Sequence, residues 1–127
     1  MSSPDWPGDL MAPRDPDVDE FIRAYLRLQV ANGGNPSVGR ELGQAMSAAG
    51  LSGVVMAAMY DCYEDITLIA ELLAQRLLHS LREEDMGRRP GLGGATGLRP
   101  CAAMRRWATQ ATLFAQSFVE AIGSAEP

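Results

Sequence analysis

Apolar positions in this chain recur at two spacings, and the places where the spacing changes mark its elements. Val18, Phe21, Ile22, Tyr25, Leu26 and Leu28 fall three and four apart, which predicts one apolar face of a helix. Asp15-Pro16-Asp17 opens that helix with an acidic cap and an early proline, and Gly33-Gly34 closes it. A second helix starts at Asn35-Pro36-Ser37, carries Val38, Leu42, Ala45, Met46 and Ala49 inward, and stops at Gly50. The spacing then collapses into an apolar run with paired valines, Val54 and Val55. That run predicts a strand over residues 51–63, buried on at least one face. Glu64-Asp65 caps a third helix, whose stripe is Ile66, Ile69, Leu72, Leu73, Arg76, Leu77 and Leu81.

Two segments resist the spacing rule. Residues 1–16 hold Pro4, Pro7, Pro13 and Pro16 and read as an extended or turning arm, outside a domain over residues 17–127. Residues 87–100 hold five glycines and two prolines and predict a flexible loop, with Pro100 opening a fourth helix through Cys101, Met104 and Trp107. At the end, Phe114, Phe118 and Ile122 fit a helix at four-residue spacing and equally a strand over residues 112–123. As a strand it carries Gln116 and Glu120 on the same face, and periodicity leaves both readings open.

Composition narrows the partners more than the fold. A hydrophobic fraction of 46% suits one globular domain, and a net charge of −5 argues against nucleic acid or anionic membrane. Cys62 and Cys101 lack a paired-cysteine spacing, and His79 is the sole histidine, so no metal-ligand set is expected. No leader-like segment and no long apolar run are visible, so a cytoplasmic, soluble chain with free thiols is expected.

Particular residues suggest a lineage. They are Asn-Gly-Gly-Asn-Pro-Ser-Val-Gly-Arg-Glu-Leu at 32–42, Ala-Ala-Gly-Leu-Ser-Gly-Val at 48–54, and Arg-Arg-Trp-Ala at 105–108. Phe-Ala-Gln-Ser-Phe-Val-Glu-Ala-Ile-Gly at 114–123 and Asp5-Trp6-Pro7-Gly8 complete the set. In order and spacing they resemble the C-terminal, substrate-covering half of class I S-adenosylmethionine-dependent methyltransferases of the small-metabolite and quinone type. In that resemblance Asp5-Trp6-Pro7-Gly8 is the turn after the fifth strand, residues 51–63 are the sixth strand, and residues 112–123 are the last, antiparallel one. It implies an α+β fold in which these two long strands pair antiparallel under three or four helices.

The family's cofactor site lies in its N-terminal half, on a glycine-rich turn and a partner carboxylate that this sequence lacks. Gly91-Leu92-Gly93-Gly94 and Gly94-Ala95-Thr96-Gly97 follow no strand and read as linker. No cofactor is therefore expected, and the chain alone is not expected to methylate.

Candidate chemistry is sparse. As the only histidine, His79 is a candidate for proton transfer, or a surface residue offsetting a helix dipole. Asp5 and Glu120 are the other candidate catalytic groups. The segments that cover substrate in the family supply Trp6, Tyr25, Met56, Tyr60, Tyr63, Trp107, Phe114 and Gln116 as candidate ligand contacts, although a simple core would use most of the same residues. The expected ligand is an apolar small molecule, bound by a stand-alone module and turned over, if at all, by a cofactor-independent, cyclase-type reaction. The alternative is a subunit that completes a split methyltransferase. A two-stranded sheet leaves open edges, so a homodimer or a separate cofactor-binding chain is the expected partner.

Overall fold

The computed structural model describes residues 2–85 and 98–125, without the side chains of residues 83–85. The fold is α+β. In chain order its elements are β1 (Ser2–Pro4), β2 (Leu10–Ala12), α1 (Pro16–Ala31), α2 (Val38–Ala48), β3 (Ser52–Cys62), α3 (Ile66–Asp85), α4 (Leu98–Ala108) and β4 (Leu113–Ser124). They divide into two compact units.

The first unit runs to Leu10, resumes over Asn35–Cys62 and returns from Ala115 onward. Its centre is β4. Phe118, Val119 and Glu120 pair antiparallel with Pro4, Ser3 and Ser2 of β1, and also with Met59, Ala58 and Ala57 of β3. The two neighbours therefore flank β4 on opposite edges. The β3 register slips between Ser52 and Val55, where Gly53 takes a φ of 60°.

Helix α2 ends in a Schellman turn: Gly50 (φ 92°) bonds back to Ser47, and Leu51 bonds back to Met46. Leu51 thereby joins Leu42, Met46, Val54 and Ala121 in the core of this unit. Helix and sheet approach closely enough that a Cβ at Gly39 would stand 2.7 Å from the carbonyl oxygen of Ser3.

The second unit takes Met11–Gly34 and Tyr63–Phe114. Asp15 caps α1 by accepting from the amides of Asp17 and Val18, and Asp65 caps α3 by accepting from Leu68. Helices α1, α3 and α4 pack on one another around Phe21, Leu73, Leu77, Met104, Trp107 and Phe114, all buried. Phe114 meets Tyr63 edge-on at 4.9 Å and Trp107 at 6.0 Å between ring centres. The Trp107 indole donates to the carbonyl of Pro13 at 2.7 Å. The short β2 also pairs with β4, and at that end the Thr112 amide donates to Ala12 at 2.9 Å.

Three expectations change. The sheet has four strands rather than two, because the proline-rich arm supplies β1 and β2 on either side of a 3-10 turn at Trp6–Gly8. Strand β3 is not buried on a face: it is an edge strand, and Val54 alone along it is half-buried. Residues 98–100 form the first turn of α4 rather than the end of a loop, and the remainder of that expected loop, 87–97, lies outside the described residues. Residues 113–124 resolve the ambiguity at the chain's end as a strand.

Candidate functional site

Each unit holds a group of polar side chains, and the sequence candidates divide between them. In the first unit the 3-10 turn at Trp6–Gly8 sets two carboxylates, Asp5 and Asp9, beside β4. Asp5 is buried; its amide donates to the Ser117 carbonyl, and its carboxylate accepts from Arg40 Nε at 2.7 Å and from Arg40 Nη2 at 2.8 Å. Such a two-pronged ion pair is strong in geometry and direction. Asp9 Oδ1 accepts from Gln116 Nε2 and from the Ser117 amide, each at 2.8 Å. Its other oxygen is buried with no partner among the described residues. Burial pushes the Asp9 carboxyl up to about 7, the Ser117 hydrogen bond opposes that, and the nearby Asp5 charge adds to it.

This arrangement accounts for Gln116, expected as a ligand contact: its buried amide donates to Asp9 and to the Ser117 carbonyl at 3.3 Å. Tyr60 lies half-exposed, its hydroxyl donating to the Gly8 carbonyl at 3.1 Å. Met56 rests on α2, where Gly43 leaves room for its sulfur. Trp6 is half-buried, with its amide bonded to Pro36. Glu120 sits half-buried in mid-sheet, opposite Ser2 and Ala57.

In the second unit, a cleft of about 600 Å³ is lined by Tyr25, Leu28, Gln29, Asn32, Leu72, Gln75, Arg76, His79 and Ser80. The numbers explain it. Positions 25, 28, 29 and 32 are one face of α1 and its cap, and 72, 75, 76, 79 and 80 are one face of α3. Tyr25 is buried and stacks on Phe21 at 6.2 Å, and Arg76 donates to its hydroxyl at 3.2 Å. That hydrogen bond raises the Arg76 pKa further, so the guanidinium stays charged.

The structure thus brings Tyr25 and His79 together on one cleft. It buries Trp107 and Phe114 in the core of the same unit, with Tyr63 packed edge-on against Phe114, and none of the three lines this cleft. Sequence reasoning did not single out Asp9, nor Gln29, Gln75 and Arg76 of the cleft. The available signals were the repeat of aspartate across the Asp5–Asp9 turn and the charge of Arg76 inside an apolar stripe.

Among the described residues no group of three or more metal-ligand side chains gathers, and no helix is long and apolar enough to cross a membrane. Both cysteines are free. Cys101 is buried, and burial pushes its thiol up to about 11, which leaves it protonated and unreactive. No protein-family model matches the chain, and no curated protein sequence matches it.

Proposed function

We propose that this chain is a small-molecule-binding module related to the substrate-covering half of a small-metabolite methyltransferase, with its ligand site in the cleft between α1 and α3. The observation that carries the reading is the cleft itself. Its volume of about 600 Å³ falls among those of ligand pockets. Leucines and a tyrosine face amide, hydroxyl and cationic groups across it, which suits an apolar molecule with a polar end. The sheet supports the lineage. The Asp-Trp turn follows one strand, Ser52–Cys62 forms another, and the last strand runs antiparallel between them.

A cofactor-independent cyclisation is the reaction class this reading carries, and holding a flexible substrate in a reactive shape is its main device. His79 is the group on the cleft suited to moving a proton; Asp5 and Glu120 are not among its lining residues. The test is a fragment screen followed by amide chemical shifts in ¹⁵N-labelled protein. Binders should shift residues of α1 and α3 and lose affinity in Leu72→Trp, which fills the cleft from a half-exposed position. Binders that shift neither helix would refute the reading.

A second reading, the subunit of a split methyltransferase, draws on the sheet. Val55 (68% exposed) pairs directly with Ile122 (61%), and Met59 (43%) lies on the same face. An apolar patch of this kind usually meets another protein. Co-expression with a cofactor-binding chain encoded beside it should give a stable complex with methyl-transfer activity if this reading holds, and two separate proteins if it does not.

A further inference from the structure

Arg76 decides what the cleft can hold. In its unit Arg14, Arg99 and Arg105 face carboxylates at 3.4, 3.1 and 2.7 Å, while Arg23, Arg27 and Arg106 are exposed side chains. Arg76 instead donates to the Tyr25 hydroxyl, and among the described residues no aspartate or glutamate lines the cleft. The chain as a whole is acidic, with a net charge of −5, and what separates this cleft from the exposed Arg23 and Arg27 is that its cation is held by a buried tyrosine.

The guanidinium is also anchored. Tyr25 is 4% exposed and its ring is stacked on Phe21, so packing fixes the position of the oxygen that receives Arg76 Nη1. A guanidinium carries five N–H donors in one plane. With one of them on Tyr25, the plane stays in register while an edge remains for a planar, two-oxygen acceptor. Leu28 from α1 and Leu72 from α3 lie in the same cleft and offer apolar contact to the body of such a molecule.

We propose that the cleft recognises a small organic carboxylate, binding its carboxylate at Arg76 and its flat apolar body between Leu28, Leu72 and the Tyr25 ring. The proposal rests on the cleft being the ligand site. It excludes neutral isosteres as preferred ligands, because they give the edge of the guanidinium that Tyr25 leaves open no charged acceptor while still desolvating it.

The probes are 2-naphthoate and its neutral counterpart 2-naphthylmethanol, titrated into ¹⁵N-labelled protein. Naphthoate should shift α1 and α3 resonances and bind about 10-fold to 100-fold tighter than the alcohol, the range for a charge-assisted contact. Arg76→Gln should remove that preference, through weaker binding of naphthoate. Arg27→Gln removes the same charge from an exposed position on another face of α1, outside the cleft, and should leave naphthoate binding intact. Equal affinity for the two probes, or equal loss in Arg27→Gln and Arg76→Gln, overturns the carboxylate proposal while leaving the cleft as the site. If neither probe shifts α1 or α3, the proposal falls; if other fragments still do, the site reading survives it.

Discussion

Replacing Asp9 by Asn should change how the protein's stability depends on pH, in a direction opposite to that of ordinary carboxylates. In the folded chain the Asp9 carboxyl is raised from 3.8 to about 7, mainly by burial. The folded state therefore holds a proton that the unfolded chain has already released. This contribution to stability is fully present below about pH 3.8 and falls as pH rises. It is gone above about pH 7. The whole shift corresponds to about 4 kcal/mol, at about 1.4 kcal/mol per unit. Asp9 is only half-buried, and solvent screening reduces that to about 2 kcal/mol. Asn keeps the Oδ1 acceptor that Gln116 and Ser117 use, so the comparison isolates the charge. Urea unfolding of both proteins between about pH 4 and pH 9 supplies the free energies. The stability of wild type minus that of D9N should fall by about 2 kcal/mol from pH 4 to pH 7 and then level off. A difference that is flat throughout, or that rises with pH, refutes the assignment of a raised carboxyl to this turn.

Three other outcomes are expected. Gly39→Ala puts a Cβ 2.7 Å from the Ser3 carbonyl and 2.9 Å from that of Pro4, so it should cost about 1–3 kcal/mol in urea unfolding; unchanged stability would place α2 farther from β1. Light scattering should give a dimer mass, because the Val55, Met59 and Ile122 patch lies on a sheet with an open β3 edge, and Met59→Lys with Val55→Lys should shift it to monomer; a wild-type mass near 13.7 kDa refutes this. Calorimetric titration with S-adenosylmethionine should show no saturable heat, since the glycine-rich turn and partner carboxylate that bind it in class I methyltransferases are missing from this sequence; micromolar binding would require a site of another kind.

Helix boundaries were readable because their signals are local. Asp15, Asp65 and Gly50 act within one turn of where they stand, through caps and a positive φ that few other residues supply. The short strands were not readable. Ser2–Pro4 owes its extended pairing to Phe118, Val119 and Glu120, more than a hundred positions away, and three residues carry no period. The exposure of β3 was missed for a related reason: its apolar composition matches a buried strand, and edge position is a property of the sheet. In the candidate cleft, Tyr25 and His79 can be named from residue type, but Arg76 reads only as a member of the α3 stripe until two helices bring their faces together. Trp107 and Phe114 show the limit of residue type, since a large aromatic side chain serves a core and a pocket wall equally well.

The pairing of Ser2 with Glu120 has a consequence in time. A ribosome adding roughly 5–20 residues each second needs about 6 to 24 s to lengthen the chain by the 118 residues from Ser2 to Glu120. For that interval β1 has no strand to pair with, and Gly39 of α2 has no finished sheet to lie against. The second unit ends at Phe114, so its last helix is made while the sheet still lacks its central strand. A nascent chain halted before Ala115 should therefore protect α1, α3 and α4 from proteases while residues 2–10 and 35–62 stay open to cleavage.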